Sequence, residues 1–228
     1  MVLVSDSGHK NAPLKAEQIV KEMEEMHKLG HNCQPTVYTY NLLIHSWEKS
    51  FNGSASRAEQ ILAELIRRYE DGEQHLKPDI FTYNSLINVI AKSKHPEKAK
   101  KAENILLNML ERYMTGKDNV KPDTRSFNAV IDAWAYSEDS GAPSKAEQIL
   151  NDMAKMYSSG YLDVQPDVYT YSTVINAWAK SGLKGSASRT EELLAQMEIR
   201  CRDGRNRSKP NTVTYNTVIN ALAKSGEP

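Results

Sequence analysis

The sequence predicts an all-α protein, a right-handed α-solenoid of stacked antiparallel helical hairpins. Three observations predict it. The chain repeats with a spacing of 43–44 residues, both halves of each repeat have helical spacing of apolar residues, and Pro or Gly marks the junctions. Periods of roughly 20–50 residues belong to architectures in which each unit buries its apolar face only against its neighbours.

The first half of the repeat is written five times: "PTVYTYNLLIHSWEKSF" from Pro35, "PDIFTYNSLINVIAKSK" from Pro78, "PDTRSFNAVIDAWAYSE" from Pro122, "PDVYTYSTVINAWAKSG" from Pro166 and "PNTVTYNTVINALAKSG" from Pro210. Its aromatics Tyr40, Tyr83, Phe127, Tyr171 and Tyr215 fall 43, 44, 44 and 44 residues apart. Tyr171, Val174, Ile175 and Trp178 stand at i, i+3, i+4 and i+7, one stripe of a helix. Tyr40, Leu43, Ile44 and Trp47 repeat that stripe, as do Phe127, Val130, Ile131 and Trp134.

A second block follows in each unit: "KAEQIVKEM" from Lys15, "RAEQILAEL" from Arg57, "KAENILLNM" from Lys101, "KAEQILNDM" from Lys145 and "RTEELLAQM" from Arg189. Its stripe is Ala146, Ile149, Leu150 and Met153. Ser56 with Glu59, Ser144 with Glu147 and Ser188 with Glu191 have capping-box spacing at the start of this second helix. Gly-containing turns such as "FNGSAS" and "SGLKGSAS" separate the two helices. Pro35, Pro78, Pro122, Pro166 and Pro210 open each next unit, since Pro precedes a helix but does not continue one.

The pieces then fall in order. Residues 1–36 carry the second helix of a truncated repeat, near 13–29; 37–79, 80–123, 124–167 and 168–211 are complete repeats; 212–228 is one more first helix. All belong to one solenoid domain. An array that starts and stops mid-unit, without polar capping helices, is expected to be an excerpt of a longer one.

Composition narrows the chemistry. Basic and acidic residues balance at 29 each, so the excess of Lys and Arg that usually accompanies phosphate binding is missing, although charge can be segregated onto one face. An apolar fraction of 39% with 25% charged residues fits a soluble, folded helical chain. No run approaches the roughly eighteen apolar residues of a membrane span. Cys33 and Cys201, far apart and outside any CxxC, read as reduced thiols of an intracellular protein. The start "MVLVSDSGHKNAPLK" has neither a secretory apolar core nor the Arg-rich character of a transit peptide.

His27 and His31 at i, i+4 with Cys33 nearby have the beginnings of a metal site, but in one unit only and without a fourth ligand. No metal and no cofactor is expected. Glu24, Glu25, Glu70 and Asp71 read as solvated helix ends. No Gly-rich phosphate loop, His-led nucleophile signature or pocketed carboxylate pair is evident, so the chain reads as a binding module and not an enzyme.

The combination "PD-x-x-T-Y-N-x-x-I" with "A-x-x-x-L-x-x-M" resembles the pentatricopeptide repeat (PPR) family, from about Pro13 to Ser225. Tetratricopeptide repeats keep a period of about 34 residues and a W-x2-L-G-x2-Y pattern that is absent here. HEAT and armadillo periods overlap, but neither explains a fixed polar residue after the aromatic. The family's usual unit is about 35 residues, so these are a long-unit variant, longer by eight or nine. The extra residues fall in the turn before the second helix and in stretches such as "RYEDGEQHLKPD".

The resemblance implies sequence-specific binding of single-stranded RNA at one base per repeat. In the family, the residue after the first-helix aromatic reads the base together with the last residue of the unit. Those roles pass to Asn41 with Asp79, Asn84 with Asp123, Asn128 with Asp167 and Ser172 with Asn211, while Asn216 opens a fifth pair. An Asn amide carries two donors and an acceptor in one plane, which matches a nucleobase edge. The family's preferences, uracil for Asn with Asp and adenine for Ser with Asn, imply a core of 5′-UUUA-3′. The residue two before the aromatic walls the base on either side: Tyr38, Phe81, Arg125, Tyr169 and Val213, with Arg125 departing from the apolar norm. A Lys near the end of the first helix is expected to meet phosphate: Lys49, Lys92, Lys180 and Lys224, with Tyr136 as the exception.

The resemblance also implies a role in organellar RNA processing, stability or translation, in the mitochondrion or chloroplast, with other RNA-processing proteins as further partners. Blander readings exist for each residue. An Asn near a helix start can bond backbone groups, an Asp beside Pro is an ordinary N-cap, and a Lys row is a solvated face. The alternative function is a helical protein-interaction scaffold. A third is the RNA-guiding arm of an enzyme, for which the discriminator is sequence beyond Pro228.

Overall fold

A computed structural model of the chain describes residues 11–49, 54–202 and 208–225, the side chain of Lys49 excepted. Among the described residues every regular element is helical. The chain divides into two compact units, residues 1–120 and 121–228. The first holds α1 (Ala12–Lys28), α2 (Val37–Ser46) running into a 3₁₀ turn at Trp47–Lys49, α3 (Ser54–Glu70), a 3₁₀ turn at Gln74–Leu76, α4 (Ile80–Lys92) and α5 (Lys98–Met114). The second holds α6 (Thr124–Ala135), α7 (Ala142–Ser158), α8 (Val168–Ser181), α9 (Ser186–Arg202) and α10 (Thr212–Ser225).

Within each unit the architecture is the all-α solenoid of helical hairpins that the repeat predicts. Short connections make α4 and α5, α6 and α7, and α8 and α9 hairpins. First helices then stack side by side, α2 on α4, α6 on α8 and α8 on α10. The predicted stripes are buried except at Trp178, which is half-buried: Ile44, Val130, Val174 and Ile175 expose nothing, and neither do Ala146, Leu150 and Met153.

First helices begin two residues after each Pro because the intervening residue caps them. Asp79 accepts from Thr82 N at 2.9 Å, Asp123 from Ser126 N at 3.0 Å, Asp167 from Thr170 N at 2.9 Å and Asn211 from Thr214 N at 3.0 Å. The hydroxyl three residues on returns the bond to the cap's own N–H, which completes a capping box at α4, α6 and α8. The boxes expected on the second helices do not form there. Ser56, Ser144 and Ser188 lie inside α3, α7 and α9, which start two residues earlier. Small buried side chains at those starts (Ser54, Ala55, Ala142, Ala187) let the helix approach its partner closely, so the first turn winds before the serine.

Glu147, with only 6% of its surface exposed, therefore does other work. It accepts from Trp178 Nε1 at 2.8 Å and from Arg189 Nε at 3.0 Å, with Arg189 Nη2 on its second oxygen. The same register recurs between second helices as Glu17 with Arg57 at 2.6 Å and Glu59 with Lys101 at 2.9 Å. Glu24, expected to be solvated, instead accepts from Tyr40 OH at 2.6 Å and pairs with Arg68 at 2.5 Å.

The extra residues of the long repeat unit are anchored. Two residues before four of the five prolines that open a unit a side chain is buried: Leu76 (0% exposed), Val120 (9%), Val164 (0%) and Ser208 (1%), while Cys33 before Pro35 is half-buried. Gly160, at φ +72°, turns the chain out of α7 into such a loop, with Tyr161 N closing back on Met156 O at 3.0 Å. Successive loops also touch: Gln34 with His75 Nε2 at 2.9 Å, Lys77 with Asn119 Oδ1 at 2.7 Å, and Ser208 Oγ with Pro166 O at 2.7 Å.

Candidate nucleic-acid interface

Within each unit, a residue just past the first turn of a first helix faces the cap of the next hairpin's first helix, because adjacent first helices pack in register one repeat apart. Asn41, half-buried on α2, donates from Nδ2 to Asp79 Oδ1 at 3.1 Å, and its Oδ1 has no partner. On α6, Asn128 is half-buried, and its Oδ1 accepts from Thr170 Oγ1 at 2.8 Å instead of meeting Asp167 directly. On α8, Ser172 Oγ lies 3.0 Å from Thr214 Oγ1, which itself donates to Asn211 Oδ1 at 3.1 Å. Asn84 is half-buried on α4, Asp123 caps α6, and Asn216 is exposed on α10.

The expected walls project beyond these polar side chains. Tyr38 is 68% exposed, Phe81 62%, Tyr169 52% and Val213 66%, and Arg125 is exposed as well. Tyr169 is fixed by its hydroxyl, which donates to Asp132 Oδ2 at 2.7 Å. Burial and that bond to a carboxylate push its pKa well above the usual tyrosine value.

The Lys row is uneven. Lys92 Nζ is 2.5 Å from Glu48 Oε1, so its charge is already met, whereas Lys180 sits 5.4 Å from the centre of the Tyr136 ring. Lys224 is exposed near the end of α10, and the Lys49 side chain lies outside the described residues. In the second unit, α8 and α10 enclose an open groove of about 310 Å³ lined by Lys180, Val213, Asn216 and Lys224. Asn176 and Asn220 also line it, and sequence reasoning passed over both. The signal was there: each lies four residues after Ser172 or Asn216, one helical turn along the same face.

Elsewhere, His27 Nδ1 lies 3.3 Å from His31 O and the Cys33 thiol donates to Met23 O at 3.5 Å, both local turn contacts. Among the described residues no group of three metal-ligating side chains converges, and no helix is long and apolar enough to cross a membrane.

Stacked hairpins recurring at a fixed spacing define a helical-repeat protein. The pentatricopeptide repeat domain family matches residues 60–136 and 160–225, more than half of the chain, and the chain belongs to that family. A pentatricopeptide repeat-containing protein of Arabidopsis thaliana is 38% identical over 73 residues, which is 32% of this chain and 13% of that protein. A second from the same plant, named chloroplastic, is 36% identical over 70 residues, 31% of this chain and 12% of its own length. The crystal structure of the pentatricopeptide repeat protein PPR10 from maize matches with a TM-score of 0.54 at 21% identity. That match covers 95% of this chain and 26% of the maize chain. The chain thus spans about an eighth of the length of the curated relatives it matches.

Proposed function

We propose that the chain binds single-stranded RNA at one base per hairpin, with units 37–79, 80–123, 124–167 and 168–211 and a preferred core of 5′-UUUA-3′. Asn41, Asn84, Asn128 and Ser172 read the four bases, and Asn216 opens a fifth site. The carrying observation is the joint placement of two rows. Half-buried Asn or Ser side chains, held by groups at the next cap, stand at the foot of exposed apolar walls. A base stacked on such a wall gains about 1–3 kcal/mol whatever its identity, so selectivity falls to the polar row. Asn41 Oδ1 is buried and without a partner, so it becomes an acceptor for the N3–H of uracil when the side chain turns outward to the strand.

Lys180 and Lys224 meet phosphate, and Lys92 does so only by leaving Glu48. Binding is passive: a preformed groove covers the strand and blocks or remodels it. With four complete sites the footprint is short and the affinity modest. The chain acts as a binding module in organellar RNA processing, stability or translation, in the mitochondrion or chloroplast. Support for the compartment comes from the Arabidopsis relative named chloroplastic.

A helical scaffold for a protein partner is the second reading, favoured by the balanced charge and by the pairing of Lys92 with Glu48. The two separate in one experiment, fluorescence anisotropy at fixed salt with UUUA-containing RNA, a CCCG control and Asn84→Thr protein. Base reading requires a preference for UUUA that Asn84→Thr weakens. Equal binding of both RNAs leaves a non-selective groove, and absence of binding by folded protein favours the scaffold.

A further inference from the structure

A hydroxyl has one proton, yet Thr170 Oγ1 stands within reach of two acceptors. Asn128 Oδ1 is 2.8 Å away and Asp167 Oδ1 is 2.9 Å away, on opposite sides of the step from one hairpin to the next. Thr214 repeats the arrangement one hairpin on, between Ser172 Oγ at 3.0 Å and Asn211 Oδ1 at 3.1 Å. Both threonines are fully buried, so no water competes for the proton. The first hairpin of the array is built differently. Thr82 Oγ1 serves only the cap, at 2.9 Å from Asp79 Oδ1, and Asn41 reaches Asp79 on its own amide.

We propose that Thr170 and Thr214 are positioning residues for base selectivity, coupling Asn128 and Ser172 to the caps of the following helices. The inference rests on the base-reading proposal above and deepens it. With the Thr170 proton on Asn128 Oδ1, the amide turns its NH₂ toward the groove. With that proton on Asp167, the amide swings to donate into Thr170 Oγ1 and leaves its carbonyl unpaired, the arrangement of Asn41, whose Oδ1 is buried without a partner. The hydroxyl therefore decides which end of Asn128 meets the base, and a donor and an acceptor there suit different pyrimidine edges. Thr214 likewise occupies the Ser172 hydroxyl and leaves serine lone pairs for an amino group such as that of adenine.

The test is fluorescence anisotropy of the whole chain against four RNAs that differ only at the third nucleotide of the UUUA core. Thr170→Val keeps the side-chain shape but removes the hydroxyl. It should lower the preference for uracil at that nucleotide about three- to tenfold, the worth of roughly one hydrogen bond, and Thr170→Ser should retain the preference. Thr214→Val should do the same to adenine at the fourth nucleotide. Thr82→Val loses an equivalent capping hydroxyl and should leave selectivity at the first nucleotide unchanged, which separates reading from helix stability. If Thr170→Val does not fold at the assay temperature, Thr170→Ala against Thr170→Ser supplies the comparison. Equal weakening across the four RNAs, or an unchanged uracil preference in Thr170→Val, overturns the inference. An unsubstituted chain that binds all four alike overturns base reading itself, before any variant is made.

Discussion

Glu147→Ala should destabilise the second unit by about 3 kcal/mol, far beyond an ordinary surface change. The carboxylate has three partners, Trp178 Nε1 at 2.8 Å, Arg189 Nε at 3.0 Å and Arg189 Nη2, and almost none of it reaches water. Removing it leaves the indole N–H without an acceptor in a half-buried site, which costs about 1–3 kcal/mol. Breaking a buried ion pair from one side costs about 3–5 kcal/mol. The Arg189 side chain keeps 35% of its surface, so water recovers part of that loss and the lower end applies. Glu147→Gln keeps an acceptor for Trp178 and should lose only about half as much. Urea unfolding followed by tryptophan fluorescence measures both, because the changed contact is on Trp178 itself. Glu17→Ala is the control: Arg57 is 41% exposed and the expected loss is about 1 kcal/mol or less. A Glu147→Ala protein within about 0.5 kcal/mol of the parent would show that the contact between α7 and α9 contributes nothing to stability.

Other outcomes follow from the same geometry. Glu48→Gln should free Lys92 from its 2.5 Å partner and raise RNA affinity about two- to fivefold with a steeper salt dependence, read by anisotropy at two ionic strengths. Unchanged affinity would take Lys92 off the phosphate path. Tyr40 and Tyr169 have pKa values raised first by burial and then by hydrogen bonds to Glu24 and Asp132. A raised folded pKa contributes stability that is complete below the unfolded value of about 10 and is lost as pH climbs beyond it. Absorbance titration should therefore show a late-ionising fraction that Tyr40→Phe and Tyr169→Phe each reduce, and a single transition near pH 10 would contradict the burial.

The helices were legible because a stripe at 3.6-residue spacing says which face is buried whatever lies opposite. Tyr171, Val174 and Ile175 needed no partner to be identified as core. Leu76 and Val120 were not legible as core, since each is a lone apolar residue in a polar loop with no period of its own, and the pair Leu162 and Val164 is too short to set one. Only the recurrence two residues before Pro78, Pro122 and Pro166 marks Leu76, Val120 and Val164. The caps were assigned to the wrong helices because Ser-x-x-Glu fits a capping box wherever it falls. The true boxes, Asp79-x-x-Thr82 and its repeats, lay beside the prolines already noted. Of the candidate site, the residue types in each row were readable. The hydroxyl between Asn128 and Asp167 was not, because 42 residues separate Thr170 from Asn128 and only packed first helices bring them together.

One group in each step serves both the fold and the proposed reading, and the two roles can be pulled apart. Asp79 Oδ1 receives Thr82 N at 2.9 Å, Thr82 Oγ1 at 2.9 Å and Asn41 Nδ2 at 3.1 Å. A carboxylate only accepts, so it compels Asn41 to turn its NH₂ toward Asp79 and leaves the carbonyl, buried in the free chain, as the unsatisfied group that a base would meet when the side chain turns outward. Asp79→Asn changes that without removing the cap, since Asn caps a helix about as well as Asp, as Asn211 does at α10. The substituted amide both donates and accepts, so Asn41 is free to present either end. Thermal stability should stay within about 0.5 kcal/mol of the parent while the uracil-over-cytosine preference at the first nucleotide falls about three- to tenfold. A large loss of stability with selectivity intact would make Asp79 a structural cap alone, and the reading of the first base would then have to rest on Asn41 without it.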